Sequence, residues 1–236
     1  MTIYILTSDR TNWLIKGMQY CINKYWPDHT FPLSVKILGY KNLDFELDEG
    51  FEFISLGEDK GPNHVNLDLI NFFNSIDDSN FIFTCDDFFP IRKINLHIFS
   101  ALCKYMETDD ISRIALDGHV NSKPYTIYKD YDSFKVVELS QIADYRKSAV
   151  WSIWSRDYFI KYLHGTSNLW EWELDTRCKH DGHNILGTIG EHAIQACHLI
   201  KRGKLKSDWF KDSESDDVMY IEDRLAIKQL IGDRFE

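Results

Sequence analysis

The chain has 236 residues, of which 44% are hydrophobic and 14% aromatic, and its formal net charge is −10 at pH 7. This composition is ample for a packed core, and the acidic balance argues against broad electrostatic attraction to nucleic acid or anionic membranes. Five scattered cysteines indicate reduced packing residues rather than a disulfide framework. Because neither a signal-peptide pattern nor a membrane-spanning apolar run is found, we expect a cytoplasmic protein with no membrane partner.

The first ninety residues alternate between strand and helix patterns. Hydrophobic periodicity predicts, in chain order, a strand at Ile3–Arg10, a helix at residues 12–26, strands at Ser34–Tyr40 and Phe51–Leu56, and a helix from Pro62 to Ile76. Strands that are separated by helices pair in parallel through right-handed crossovers. Residues 1–90 are therefore predicted to form a doubly wound, nucleotide-binding-like half.

An apolar run at Phe81–Pro90 ends in two adjacent carboxylates, Asp86 and Asp87. Side by side, these carboxylates would repel each other and lose solvation unless a cation lay beside them. The carboxyl end of a strand is also where open α/β sheets bind ligands. The motif therefore predicts a metal or phosphate site, and the structural alternative is a solvated acidic turn that closes a strand.

The polar end of the first strand should emerge at the same edge as the two acids. A nucleotide at this edge would be surrounded by Thr7, Ser8, Asp9 and Arg10. This loop carries no glycine-rich phosphate-binding fingerprint.

The second half predicts a sheet that becomes mixed. In chain order the patterns predict a helix at residues 94–106, a strand at Ser112–His119, one or two antiparallel strands within Tyr125–Leu139, a short helix after Ser155, a helix started by a Thr188–Glu191 capping box, and a last helix near Tyr220–Ile231. We therefore predict one α/β domain over residues 1–236, with a mostly parallel, Rossmann-like central sheet that becomes mixed in the C-terminal half.

Three short motifs together resemble the GT-A type glycosyltransferases, single-domain enzymes that transfer a sugar from a nucleotide-sugar donor. They are the TSDR end of the first strand, TCDDFF at the place of the family's DxD-like metal motif, and WEWE, Trp170 to Glu173, where such enzymes place an acceptor-side carboxylate. The resemblance implies a nucleotide-sugar-binding half at residues 1–90 and an acceptor-side half at residues 91–236. Cys85 departs from the pattern because it replaces the first acid, so the ribose-contacting role falls to Asp86 or is missing.

The resemblance also implies a divalent metal, manganese or magnesium. Such a cation, held by one or two carboxylates, neutralises the charge that grows on the departing diphosphate. We predict Asp87, together with Asp86, as the metal ligands. A late histidine often completes the shell in this fold, and His192 is predicted for that role with His183 as the alternative.

The acceptor side requires a carboxylate that takes the proton of the acceptor hydroxyl. Glu173 is predicted as this general base, with Glu171 in reserve, and Trp170 or Trp172 is predicted to stack on the acceptor. The structural alternative is an amphipathic helix start with core tryptophans and solvated glutamates.

The acceptor itself is predicted to be a soluble saccharide. A basic stretch at residues 201–211 motivates a second hypothesis, in which the acceptor is a hydroxymethylated base in DNA. Lys204, Lys206 and Trp209 would contact the DNA, and DNA binding would be weak and steeply salt-dependent. Nucleotidyl transfer and a non-catalytic nucleotide- or sugar-binding domain also stay open as functions. The particular sugar, nucleotide and oligomeric state are left open by the sequence.

Overall fold

The computed structural model describes residues 1–26, 34–165, 167–201, 204–205 and 219–232. Its strands are β1 Thr2–Leu6, β2 Ser34–Gly39, β3 Phe51–Ser55, β4 Asn80–Cys85, β5 Phe88–Pro90, β6 Ile111–Ala115, β7 Tyr125–Asp130, β8 Phe134–Leu139, β9 Ser152–Ser155, β10 Asn184–Gly190, β11 Ala196–His198, β12 Ile200–Lys201 and β13 Lys204–Leu205. Its α-helices are α1 Ile15–Tyr25, α2 Val65–Asn74, α3 Leu96–Thr108, α4 Arg156–Lys161, α5 Leu169–Leu174 and α6 Ile221–Ile231.

One nine-stranded sheet, in the order β3-β2-β1-β4-β9-β6-β10-β8-β7, runs through both halves of the chain. Its first four strands pair in parallel, whereas β9 is antiparallel to both β4 and β6, and β8 is antiparallel to β10 and β7. The predicted fold class, an α/β fold whose parallel sheet becomes mixed in the C-terminal half, is confirmed. Because β4 and β6 are both antiparallel to β9, their carboxyl ends lie at the same edge of the sheet.

The sheet is covered on both faces. Along β1 the buried side chains alternate, so that Ile3 and Ile5 pack in one hydrophobic cluster with α1, α3 and α6, while Tyr4 and Leu6 pack in the other with α2, α4 and α5. Burial on both faces explains why β1 and β4 are continuous apolar runs in the sequence. In the described parts of the chain, no helix is both long enough and apolar enough to cross a bilayer.

The prediction of a helix that starts at a Thr188–Glu191 capping box is wrong. Thr188 lies inside β10, where it is fully buried and pairs with Val136 of β8, and the short strand β11 follows instead of a helix. Isoleucine and threonine side chains, branched at Cβ, fit a pleated surface better than a helix. Gly190, with a φ of 85°, then ends the strand in a conformation that glycine adopts readily.

Candidate active site

The carboxyl ends of β1 and β4 are joined through Thr7 and Asp86. Thr7 Oγ1 donates a hydrogen bond to Asp86 Oδ2 at 2.5 Å, and the Asp86 backbone N–H donates to the Leu6 carbonyl at 3.0 Å. Burial raises the pKa of the Asp86 carboxyl to about 7, opposed by hydrogen bonds from Thr7 and Thr11. The loop after β1 therefore emerges beside the acidic motif, and Asp86 faces inward toward that loop.

The loop from Thr7 to Arg10 presents a polar surface at this edge. Ser8 Oγ and Thr11 Oγ1 lie 2.8 Å apart, and Asp9 Oδ1 accepts a hydrogen bond from the Lys41 backbone N–H at 3.0 Å. Lys41 follows β2, so Asp9 ties together the ends of two neighbouring parallel strands, and the Arg10 side chain is exposed. All four residues predicted to surround the nucleotide thus lie at the carboxyl edge of the sheet.

Asp87 makes its contact with a different part of the chain. Its Oδ2 lies 2.5 Å from His198 Nε2, and its carbonyl accepts a hydrogen bond from the Leu199 backbone N–H at 2.9 Å. β11 pairs antiparallel with β5, which places His198 opposite Phe88 with their rings stacked at a centroid distance of 4.5 Å. The Asp87 and His198 side chains are 21% and 39% exposed, so the pair is accessible from solvent.

The Asp87–His198 pair offers one carboxylate oxygen and one imidazole nitrogen as metal donors. Among the described residues no group of three or more His, Cys, Asp or Glu side chains is arranged to hold a metal ion. A divalent ion held by so few protein donors would take its remaining ligands from water and substrate phosphates. The donor set therefore suits a metal that is bound together with a diphosphate.

The two histidines predicted for the metal shell make their hydrogen bonds with residues other than Asp87. His183 precedes β10 at the opposite edge of the sheet, where its ring contacts Ser112 Oγ at 2.7 Å and Lys161 Nζ at 2.8 Å. His192 follows β10, and its ring nitrogens contact Thr188 Oγ1 at 3.0 Å and Asn121 Nδ2 at 3.3 Å. The histidine beside Asp87 is His198, which was not among the predicted ligands.

Glu173 is held by the segment that precedes β9 in the chain. Its Oε1 accepts hydrogen bonds from Ser148 Oγ at 2.8 Å and from the Ala149 backbone N–H at 2.5 Å. The Ala149 carbonyl in turn accepts a hydrogen bond from the Cys85 backbone N–H at 3.2 Å. Ala149 thus connects Glu173 to Cys85, the residue that precedes Asp86. The predicted base and the acidic motif therefore lie at the same edge of the sheet.

The thiol of Cys85 lies close to the carboxyl groups at this edge. Burial raises the pKa of the Cys85 thiol well above its ordinary value, and the carboxylates of Asp87, Asp86 and Glu173 raise it further. Cys85 is therefore a protonated packing residue at the site, with no tendency to act as a nucleophile.

Of the other three residues of the WEWE motif, Glu171 and Trp172 have structural roles and Trp170 is exposed. Glu171 forms a capping box with Asn168 at the start of α5, with hydrogen bonds of 2.9 and 3.2 Å between each side chain and the other's backbone N–H. Trp172 is 1% exposed and packs against Trp154, whereas Trp170 is 66% exposed. Trp172 is thus a core residue, and Trp170 is the indole of this motif that an acceptor could reach.

A further carboxylate, Asp117, follows β6 at the same edge as Asp86 and Asp87. It accepts a hydrogen bond from the His119 backbone N–H at 3.0 Å. Burial raises the pKa of the Asp117 carboxyl to about 6, opposed by that hydrogen bond and by the positive charge of Arg113. The edge therefore holds two carboxyl groups, those of Asp86 and Asp117, whose pKa values lie above the ordinary range for a carboxyl group.

Replacing Asp117 with asparagine is expected to remove a pH dependence of stability. The folded state binds the Asp117 proton more tightly than the unfolded chain, so this group stabilises the fold below about pH 4 and the benefit is lost as pH rises toward about 6. Asp117→Asn should therefore be more stable than wild type by roughly 1–3 kcal/mol at about pH 7 and equally stable at about pH 4. Urea denaturation at both pH values measures this, and a difference that is independent of pH would contradict it.

The residues predicted to contact DNA fall in or beside a part of the chain that the structure does not describe. Lys206 and Trp209 lie outside the described residues, and for Lys204 the structure gives only its place in β13. The DNA-contacting role of Lys204, Lys206 and Trp209 stays a prediction.

Comparison with solved structures finds distant similarities. The chain resembles S. aureus TarS 1–349 (TM-score 0.49, 11% identity, covering 98% of this chain and 63% of that one). It also resembles the mannosyltransferase PcManGT from Pyrobaculum calidifontis in complex with GDP-Man and Mn²⁺ (0.46, 10%, 86% and 57%), and an apo UDP-glucose pyrophosphorylase (0.45, 10%, 84% and 92%). No protein-family model and no curated protein sequence matches the chain. At TM-scores below 0.5 these similarities assign no activity.

Proposed function

We propose that this chain is a metal-dependent glycosyltransferase that moves a sugar from a nucleoside-diphosphate sugar to an acceptor hydroxyl with inversion. One observation supports this most: the Asp87–His198 pair, the polar loop after β1 and the Glu173 carboxylate lie at one edge of the sheet. Such an edge combines a place for a diphosphate and its cation with a carboxylate that can accept a proton.

The donor side of the proposal uses the two neighbouring acids differently. Asp87 and His198 would hold the cation, manganese or magnesium, which when bound neutralises charge on the leaving diphosphate. Asp86 would hold the loop of residues 7–10 in place through Thr7, and the polar groups of that loop would contact the nucleotide. Because Asp86 is 5% exposed, its role is to position the loop rather than to reach the metal directly.

The acceptor side of the proposal depends on Glu173. Both hydrogen bonds that Glu173 accepts among the described residues use Oε1, so Oε2 is the oxygen proposed to take the proton of the acceptor hydroxyl. The hydroxyl oxygen then bonds to the anomeric carbon while the bond from that carbon to the diphosphate breaks. General base catalysis of this kind contributes roughly a hundred- to ten-thousand-fold in rate.

A soluble saccharide is the acceptor that the charge balance favours. The net charge of −10 and the carboxylates at the site would repel the phosphates of a nucleic acid. A neutral sugar meets no such barrier, and its hydroxyls can donate to carboxylate oxygens.

A screen of donor hydrolysis tests the proposed function. The purified chain is incubated with UDP-, GDP-, ADP- and dTDP-linked sugars, each with manganese, with magnesium, and with chelator. We expect at least one donor to be hydrolysed about tenfold faster or more with metal than with chelator. If no donor is cleaved under any condition, with or without a neutral glycoside as acceptor, the proposed transfer reaction is wrong.

A further inference from the structure

A cleft of roughly 270 Å³ lies between two segments of the chain, residues 143–145 and residues 173–179. We call it the Tyr145 cleft. Its lining includes Tyr145 on one side and Glu173, Asp175 and Thr176 on the other. The carboxylate proposed as the general base therefore forms part of the wall of a cavity near the size of a small-molecule site.

Tyr145 is held at this cleft in an unusual backbone conformation. Its φ is 57°, a left-handed value that is an outlier for a bulky residue. The fully buried Arg113 fixes the segment, because its Nη1 donates to the carbonyls of Tyr145 at 3.2 Å and Arg146 at 3.0 Å. Strain of this kind persists only where the surroundings enforce it, and it concentrates at ligand sites.

The ring of Tyr145 also connects the cleft to the carboxyl end of β6. Lys123 Nζ lies 4.6 Å from the centre of the ring, and the His119 ring meets the tyrosine edge-on at 6.0 Å. Both residues follow Asp117 closely in the chain. The cleft is thus bordered by the same edge of the sheet that carries the acidic motif.

The charges around the cleft favour an uncharged ligand. Lys179, the cation in its lining, is paired with Asp144 at 2.6 Å, and the Asp175 carboxylate is paired with Arg177 and with the buried Lys147, the latter at 3.3 Å. Glu173 adds a further carboxyl group to the wall of the cavity. A phosphate or carboxylate would meet carboxylates whose partner cations are already engaged, whereas hydroxyl groups can donate to these oxygens.

We infer that the Tyr145 cleft binds a neutral sugar ring, and that this ring is the acceptor of the transfer. Tyr145 supplies an apolar platform of the kind that packs against the C–H face of a pyranose, while Glu173 Oε2 receives one of its hydroxyls. The acceptor assignment rests on the proposed function. The binding of a neutral sugar at this cleft can be tested apart from it.

The test compares Tyr145→Gly with Tyr145→Phe. Glycine removes the ring and accepts a φ of 57° without strain, whereas phenylalanine keeps the ring. Saturation-transfer NMR titrations use the methyl glycosides of glucose, galactose, mannose and N-acetylglucosamine, with glucuronic acid as an anionic control. We expect at least one neutral glycoside to bind wild type and Tyr145→Phe alike, and to bind Tyr145→Gly at least about tenfold more weakly.

The same samples separate the binding of a sugar at the cleft from the proposed transfer reaction. The thermal shift produced by a nucleoside diphosphate with manganese should be unchanged in Tyr145→Gly, which shows that the variant is folded and its donor side intact. The inference is overturned if no neutral glycoside binds wild type, if Tyr145→Gly binds as wild type does, or if glucuronic acid binds equally well. If glycoside binding depends on Tyr145 but no donor is hydrolysed, the cleft is a sugar site and the transfer reaction is wrong.

Discussion

Glu173→Gln is expected to lower the turnover number of sugar transfer by roughly a hundredfold or more. Glutamine keeps the side-chain oxygen that accepts hydrogen bonds from Ser148 and Ala149, so the local structure should be retained. What it loses is the capacity to take a proton. The turnover number and the affinity for the nucleoside diphosphate, measured on the same preparation, should therefore separate: the first falls and the second stays within about twofold.

Glu171→Gln is the matched control for this substitution. Glu171 lies two residues earlier in α5 and acts in a capping box, a role that glutamine also performs. We expect near wild-type turnover from Glu171→Gln. If Glu173→Gln turns over as fast as wild type, Glu173 is not the base, and the role would pass to Glu171 or Asp117.

Asp87→Ala is expected to abolish the metal-dependent part of nucleotide binding. It removes the carboxylate oxygen that faces His198 and leaves one donor from the pair. His198→Ala should weaken manganese binding by a smaller factor, about tenfold, since the carboxylate remains. Calorimetric titration of manganese in the presence of the nucleoside diphosphate gives both affinities.

His192→Ala is the control for the histidine. It also removes an imidazole that follows β10, but its ring contacts Thr188 and Asn121 rather than Asp87. Manganese affinity should be unchanged in this variant. Wild-type behaviour of Asp87→Ala would show that the acidic motif is a structural turn, and a larger loss in His192→Ala than in His198→Ala would return the metal role to His192.

The sequence predicted the donor half of the sheet well because that half consists of strongly patterned elements. β1 and β4 are apolar on both faces, and the helix between β3 and β4 keeps a clear helical spacing, so periodicity alone finds them. The polar residues at the ends of β1 and β4 then follow from the rule that parallel strands finish at one edge. Asp86, Asp87 and Thr7 needed no tertiary information.

The segment before β9 could not be predicted in the same way. Arg146, Lys147 and Ser148 have the composition of a surface loop, yet all three are buried. Arg146 is satisfied there by the carbonyls of Cys178 and His183 and by Asp181. Partners so distant in the chain leave no local pattern, and this segment is the one that fixes Glu173.

His198 was missed for a related reason. Its position depends on the pairing of β11 with β5, strands of three residues each that join parts of the chain more than a hundred residues apart. Strands this short carry too few alternating residues to be distinguished from a helix turn. The one signal in the sequence was a further histidine after the WEWE motif, in a stretch whose pattern favoured a helix.

The most direct test of a shared diphosphate–metal site is the thermal stability of the wild-type chain with a nucleoside diphosphate alone, with manganese alone, and with both. A ligand that binds the folded state raises the melting temperature, and tighter binding raises it further. If Asp87 and His198 hold a cation that also binds the diphosphate, the shift with both ligands should exceed the sum of the separate shifts. A nucleotide shift that is the same with manganese and with chelator would contradict the proposal.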